Sequence, residues 1–147
     1  MKNSTWEVVV VSSSLENRQD VAGMLERLGL DPICVSSVNQ CRELPNREDV
    51  GLVFCDRHVK DGDYRDVLTA MGASAAYKSA KVVVMADLAS PVEYQQAKLH
   101  GVFDVISSPC RATDIEWMVI QAKRNHRQAK ELVPTRNLSL LWRAAGA

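Results

Sequence analysis

The segment Trp6-Glu7-Val8-Val9-Val10-Val11 carries four consecutive valines and stops at Ser12-Ser13-Ser14. No other stretch so narrows what the chain can fold into. β-branched side chains favour extended backbone, and successive strand residues point to opposite faces, so an unbroken apolar run must be covered on both sides. Strands of this kind occur in parallel sheets sandwiched between helices. Such a sheet needs a helical crossover between strands, and the remaining sequence should alternate accordingly.

It does. Val21, Met24, Leu25 and Leu28 recur at helical spacing, with Gly29 placed to cap, so a helix is expected from about Leu15 to Leu28. Ile33 to Val35 makes a short second strand. Ser36 or Ser37 can cap a weak helix through Cys41 and Leu44, which Pro45 ends. Gly51 to Cys55 is a third strand running into Asp56, and the loop Lys60-Asp61-Gly62-Asp63 turns the chain into a helix near Tyr64 to Met71. Lys81 to Met85 is the fourth strand.

Ser90-Pro91 with Glu93 reads as a capped helix start that Gly101 terminates, and Val102 to Ile106 is the fifth strand. After Ser107-Ser108-Pro109 a long helix runs from about Ala112 to Leu132, with Ile115, Met118, Val119 and Ala122 on its apolar side. The expected architecture is α/β: a doubly wound, five-stranded parallel sheet with five helices in a three-layer, flavodoxin-like sandwich of strand order 2-1-3-4-5. Its binding crevice lies at the carboxyl ends of the strands, which directs attention to Ser12 to Ser14, Asp56, Ala86 to Asp87 and Ser107 to Pro109.

Composition excludes several function classes. The 147 residues suit one domain, expected over 1–124, with 125–147 a helix extension and tail that is a possible linker to an absent output domain. Eighteen basic residues balance eighteen acidic ones, so no overall field draws the chain to nucleic acid, and direct nucleic-acid binding is not expected. No apolar run approaches the ~20 residues a membrane span needs, and Met1-Lys2-Asn3-Ser4 precedes no signal-peptide core, so a cytoplasmic, membrane-free location is expected. Cys34, Cys41, Cys55 and Cys110 form no C-x-x-C pair and read as buried, reduced thiols.

The stretch Leu52-Val53-Phe54-Cys55-Asp56-Arg57-His58-Val59-Lys60-Asp61-Gly62-Asp63 resembles the phosphoacceptor strand and loop of response-regulator receiver domains, with Asp56 at the acceptor position. Val82 to Ala86 looks like the strand that carries that family's Thr or Ser. Gly101-Val102-Phe103-Asp104-Val105 followed by Ser107-Ser108-Pro109 is similar to the stretch that leads into its Lys-Pro. The likeness covers about residues 6 to 124.

What it implies is a degenerate, pseudo-receiver variant. The family's acidic pair, which holds Mg²⁺, falls on Ser12 and Ser13; its hydroxyl residue on Ala86; its aromatic switch on Val105; its lysine on Ser108. Asp87 stands where a small residue is usual. One carboxylate with two hydroxyls should bind Mg²⁺ weakly or not at all, so neither a cofactor nor enzymatic activity is expected. The likeness also implies a cis Ser108-Pro109 bond.

The resulting expectation is an atypical receiver in two-component signalling that acts through protein–protein interaction without phosphorylation. A kinase or output domain of unknown identity would be its partner. A homodimer through the fourth helix, fifth strand and last helix is the family's usual surface, with Leu99 and Trp117 as interface candidates. The alternative is a functional phosphorelay acceptor that uses Asp56 with a modified metal site.

Plainer readings stand beside these. Asp56 is equally a strand-end residue that accepts hydrogen bonds from backbone amides, and Ser14 a helix cap. Arg57 and His58 are possible substitutes for the missing lysine, although strand alternation turns the neighbour of Asp56 away. A serine-loop hydrolase using His58 or His100, or a flavin site, lacks any glycine-rich or nucleophile-elbow pattern. Lys123, Arg124, His126, Arg127 and Lys130 read as a solvated helix surface, and Leu138, Leu140, Leu141 and Trp142 as an apolar tail.

Overall fold

The structure is a computed structural model that describes residues 6–45, 49–72, 80–87 and 90–132. The expected tail residues Leu138, Leu140, Leu141 and Trp142 lie outside the described residues. In chain order the elements are β1 (Glu7–Val11), α1 (Leu15–Arg27), β2 (Ile33–Val35), α2 (Val38–Arg42), β3 (Val50–Asp56), β4 (His58–Val59), β5 (Gly62–Asp63), α3 (Tyr64–Gly72), β6 (Lys81–Met85), α4 (Pro91–Leu99), β7 (Asp104–Ile106) and α5 (Ala112–Leu132). Five strands form one parallel sheet in the order β2-β1-β3-β6-β7, the expected 2-1-3-4-5 winding.

Alternation along β1 explains its four valines. Val8 and Val10 join Leu52, Phe54, Val83 and Met85 in a core closed by Val21 and Leu25 of α1 and Ile115, Met118, Val119 and Ala122 of α5. Val9 and Val11 face the other way, into a second core with Val53, Cys55, Val82 and Val84, covered by α2, α3 and α4 through Val38, Val67, Met71 and Ala97. Phe54 is fully buried, and side chains of this kind each contribute about 1.5–3 kcal/mol relative to exposure.

Local chemistry sets the ends of the helices. Ser14, Ser37 and Ser90 accept from the backbone N–H of Asn17, Gln40 and Glu93, satisfying donors that the first helical turn leaves free. Gly29 and Gly101 take positive φ (85° and 105°), and the bonds from Leu30 N to Leu25 O and from Val102 N to Ala97 O complete the same closing motif on α1 and α4. That second bond shortens the last strand. The amide of Val102 serves the helix, Phe103 N is the first to reach β6, at the Val82 carbonyl (2.7 Å), and the strand runs from Asp104 and not from Val102 as expected.

Two further departures are local. The loop after β3 contains a small antiparallel hairpin, His58 opposite Asp63 and Val59 opposite Gly62, too short to leave a periodic signal. Cys34 is exposed, against the expectation of a buried thiol, because β2 is an edge strand and this residue faces outward. Cys41 and Cys55 are buried as expected and Cys110 is partly buried; burial holds Cys41 up at about 11 and Cys110 up at about 12. No helix among the described residues is long and apolar enough to cross a membrane.

Candidate functional site

Chain order reverses between β1 and β3, and there the sheet opens a crevice at its carboxyl edge. Register brings the residues together: Val11 pairs with Cys55, Asp56 with Met85, and Met85 with Ile106. Ser12, Asp56, Ala86 and Ser107 therefore stand in one row at the strand ends. Asp56, Ala86, Ser108 and Pro109 line an open cleft of about 630 Å³. The Ser108-Pro109 peptide bond is cis, as the resemblance implied.

Asp56 is half-buried and both oxygens of its carboxylate accept hydrogen bonds. Ser12 Oγ donates to Oδ2 at 2.5 Å and Asn17 Nδ2 to Oδ1 at 3.0 Å, while the Ser13 backbone N–H also donates to the carboxylate. Burial pushes its pKa above the ordinary carboxylate value, and these three donors pull part of the way back. Ser12 is fully buried. Its hydroxyl also receives the Ser14 backbone N–H at 3.1 Å, and its carbonyl receives Arg18 Nη1 at 2.6 Å.

Ser13 behaves differently from the metal-facing residue its position implied. Its hydroxyl accepts from Lys60 N at 2.9 Å and donates to Ser36 O at 3.2 Å, so it ties two loops together and its side chain leaves the cleft. Asp61 likewise serves structure, accepting from the backbone N–H of Val38 and Asn39 at the start of α2, which holds its pKa below the usual range.

Charge in the cleft is uneven. Glu16, Asp20, Asp56 and Asp87 line it together with Arg57 and His58. The Arg57 side chain leads away from Asp56 to Glu93 of α4, at 3.4 Å. Val105 is half-buried in β7 against the second core and borders an adjoining depression with Tyr94 and Asp87. His100 caps α4, meets Tyr64 edge-on at 6.2 Å between ring centroids, and does not line the cleft.

Leu99 and Trp117 are 85% and 54% exposed on α4 and α5. Lys123 lies over the Trp6 ring at 5.4 Å and so is more than a solvated charge. Asn17 and Arg18 were not foreseen. The available signal was a short amide in the first turn of α1, the one part of that helix that points over the strand ends.

No family model matches the sequence, and no curated protein matches it. Solved structures do. The signal receiver domain of an HD domain-containing protein from Pseudomonas fluorescens Pf-5 superposes with a TM-score of 0.74 at 17% identity, covering 89% of this chain and 96% of that one. The chemotaxis response regulator CheY4 of Vibrio cholerae gives 0.68 at 16% identity, covering 79% and 97%. NtrX from Brucella abortus, in complex with ATP, gives 0.77 at 20% identity, covering 88% of this chain and 29% of NtrX. The neighbours are receiver domains, and the fold of this chain is the receiver fold.

Proposed function

We propose that this chain, a domain of the receiver fold, is an atypical response-regulator receiver that signals by protein–protein interaction and not by phosphoryl transfer. The observation that carries this reading is the hydrogen bonding of the Asp56 carboxylate. Both its oxygens accept from neutral side chains, Ser12 and Asn17, in the crevice where a receiver would set a metal ion and a phosphoryl group.

The donor set fits Mg²⁺ poorly. That ion dehydrates reluctantly and favours several carboxylate or phosphate oxygens at near-octahedral geometry, whereas Asp56 is flanked by a hydroxyl and an amide, and Glu16, Asp20 and Asp87, which line the same cleft, do not gather with it into a metal-holding group among the described residues. Phosphoryl transfer depends on electrostatic stabilisation of spread negative charge, and the position of the family's lysine is Ser108. If each missing donor costs on the order of 10²–10³ in rate, autophosphorylation becomes negligible and the domain is not an enzyme.

Output would then pass through a surface. The exposed Leu99 and Trp117, with Val92 and Ile120, offer apolar contacts on α4 and α5 to a protein partner or a second copy. NtrX is far longer than the portion this chain covers, and an output domain is a natural partner class for this one too. A cytoplasmic setting agrees with such a role.

The alternative, a working phosphoacceptor, draws support from Arg57 and His58 on the lining beside Asp56. An amide-resolved NMR titration with Mg²⁺ and then beryllofluoride, run on wild type and Asp56→Asn, separates the two. Silence in both proteins is the expected result. Saturable shifts at Asp56, Ala86 and Ser108 that vanish in the variant would establish the phosphoacceptor instead.

A further inference from the structure

The outer side of α5 carries apolar residues that the core does not use. Ile115, Met118, Val119 and Ala122 turn inward and are buried, while Trp117 and Ile120 are 54% and 41% exposed. Residues three and four apart on a helix share a side, so Trp117 and Ile120 stand together. By the same rule Asp114 precedes Trp117 and Glu116 precedes Ile120, and this side of the helix begins acidic and becomes apolar.

The chain itself holds a segment of matching character. α5 runs to Leu132; then come Pro134, which has no N–H with which to continue a helix, and the run Leu138-Ser139-Leu140-Leu141-Trp142-Arg143. From Val133 to Ala147 there are two arginines, Arg136 and Arg143, and no acidic residue.

Length allows the two to meet. At 1.5 Å per helical residue, Ile120 and Trp117 lie about 18 and 22 Å back from Leu132. An extended chain covers about 3.3–3.6 Å per residue, so a tail that doubles back brings Leu138 level with Ile120 and gives Leu140 and Leu141 the reach of Trp117. Read along the tail the order is apolar, then basic. Read backwards along α5 it is apolar, then acidic, which sets Arg143 against Glu116 and Asp114. So short a tether holds the tail at an effective concentration of about millimolar, well above that of a second copy in dilute solution.

We propose that residues 138–143 dock on the outer side of α5 of the same molecule, over Trp117 and Ile120, and cover this face until a protein partner displaces them. The contact rests on the binding-module reading in taking this face as the output surface.

NMR on the full chain tests it. Wild type is expected to show NOE cross-peaks between the Trp117 indole and the methyls of Leu140 and Leu141. Leu141→Asp should abolish them and shift the Trp117 indole N–H, with the Trp6 indole N–H unmoved. Arg143→Glu should weaken the same cross-peaks, and Glu116→Arg in that background should bring them back. Absent cross-peaks in wild type, or an unmoved Trp117 resonance in Leu141→Asp, would overturn the contact. Cross-peaks between differently labelled molecules would put the tail on a second copy and overturn the intramolecular assignment. A beryllofluoride response at Asp56, Ala86 and Ser108 bears on the phosphoacceptor question alone, so the two ideas fail separately.

Discussion

Ser12 Oγ and Asp56 Oδ2 lie 2.5 Å apart across the junction of β1 and β3, a hydroxyl donating to a half-buried carboxylate where the crevice opens. With Asn17 reaching the other oxygen from α1, the pair clamps three elements at one point.

Removing that donor should be costly. Ser12→Ala leaves a half-buried carboxylate short of a hydrogen bond, and the expected loss is about 1.5–3 kcal/mol, read as a lowered urea midpoint. Asn17→Ala should shift the midpoint in the same direction by less, because its bond is longer and less enclosed. Unchanged midpoints in both variants would remove the clamp from the account.

The pH dependence has a definite sign. The folded-state pKa of Asp56 is raised above its ordinary 3.8, chiefly by burial, so the folded chain holds the proton more tightly than the unfolded one. Its contribution is favourable below 3.8 and is lost as pH rises through the raised value. Wild type should therefore lose stability relative to Asp56→Asn across that window and run parallel to it on either side. Asp61 acts oppositely: its pKa is lowered by the amides it caps, so its contribution is present above 3.8 and disappears as pH falls below. Calorimetric scans of wild type and each Asn variant across acid and neutral pH check both signs.

Gly51 has a steric reason to be glycine. A Cβ there would run into the Trp6 indole at Nε1 and Cδ1. Gly51→Ala is expected to displace that ring and cost about 1–3 kcal/mol, with a shifted indole N–H resonance for Trp6. An unmoved resonance and an unchanged midpoint would contradict the packing.

The exposed face of α4 and α5 gives the functional prediction. Leu99→Ala and Trp117→Ala touch no core, so each should alter stability by no more than about 0.5 kcal/mol. Loss of self-association in sedimentation, or of partner capture, would then report a contact and not misfolding. If both variants keep the mass and binding of wild type, this face is not the output surface.

Periodicity made the framework legible. Four valines demanded two covered faces, serines and glycines marked the helix ends, and Lys81–Met85 appeared in the structure with the bounds expected of it. The candidate site was partly legible: Ser12, Asp56, Ala86 and Ser108 gather at one edge because each follows a strand whose end the pattern revealed. Ser13 could not be placed, since its side chain depends on how the chain leaves β1 and on the carbonyl of Ser36 and the amide of Lys60. The hairpin at His58 to Asp63 left no trace either, because two-residue strands have no period.

By itself the sequence determined the order of elements, the winding of the sheet and the row of residues at its carboxyl edge, because those follow from spacings along the chain and from the handedness of βαβ crossovers. Only the tertiary structure decided which partners those residues take. Asn17 on Asp56, Arg57 on Glu93 and Asp61 at the start of α2 join positions distant in sequence. A polar side chain without a periodic pattern takes whichever partner the packed backbone brings within hydrogen-bonding distance, and that distance exists only once the sheet and helices have assembled.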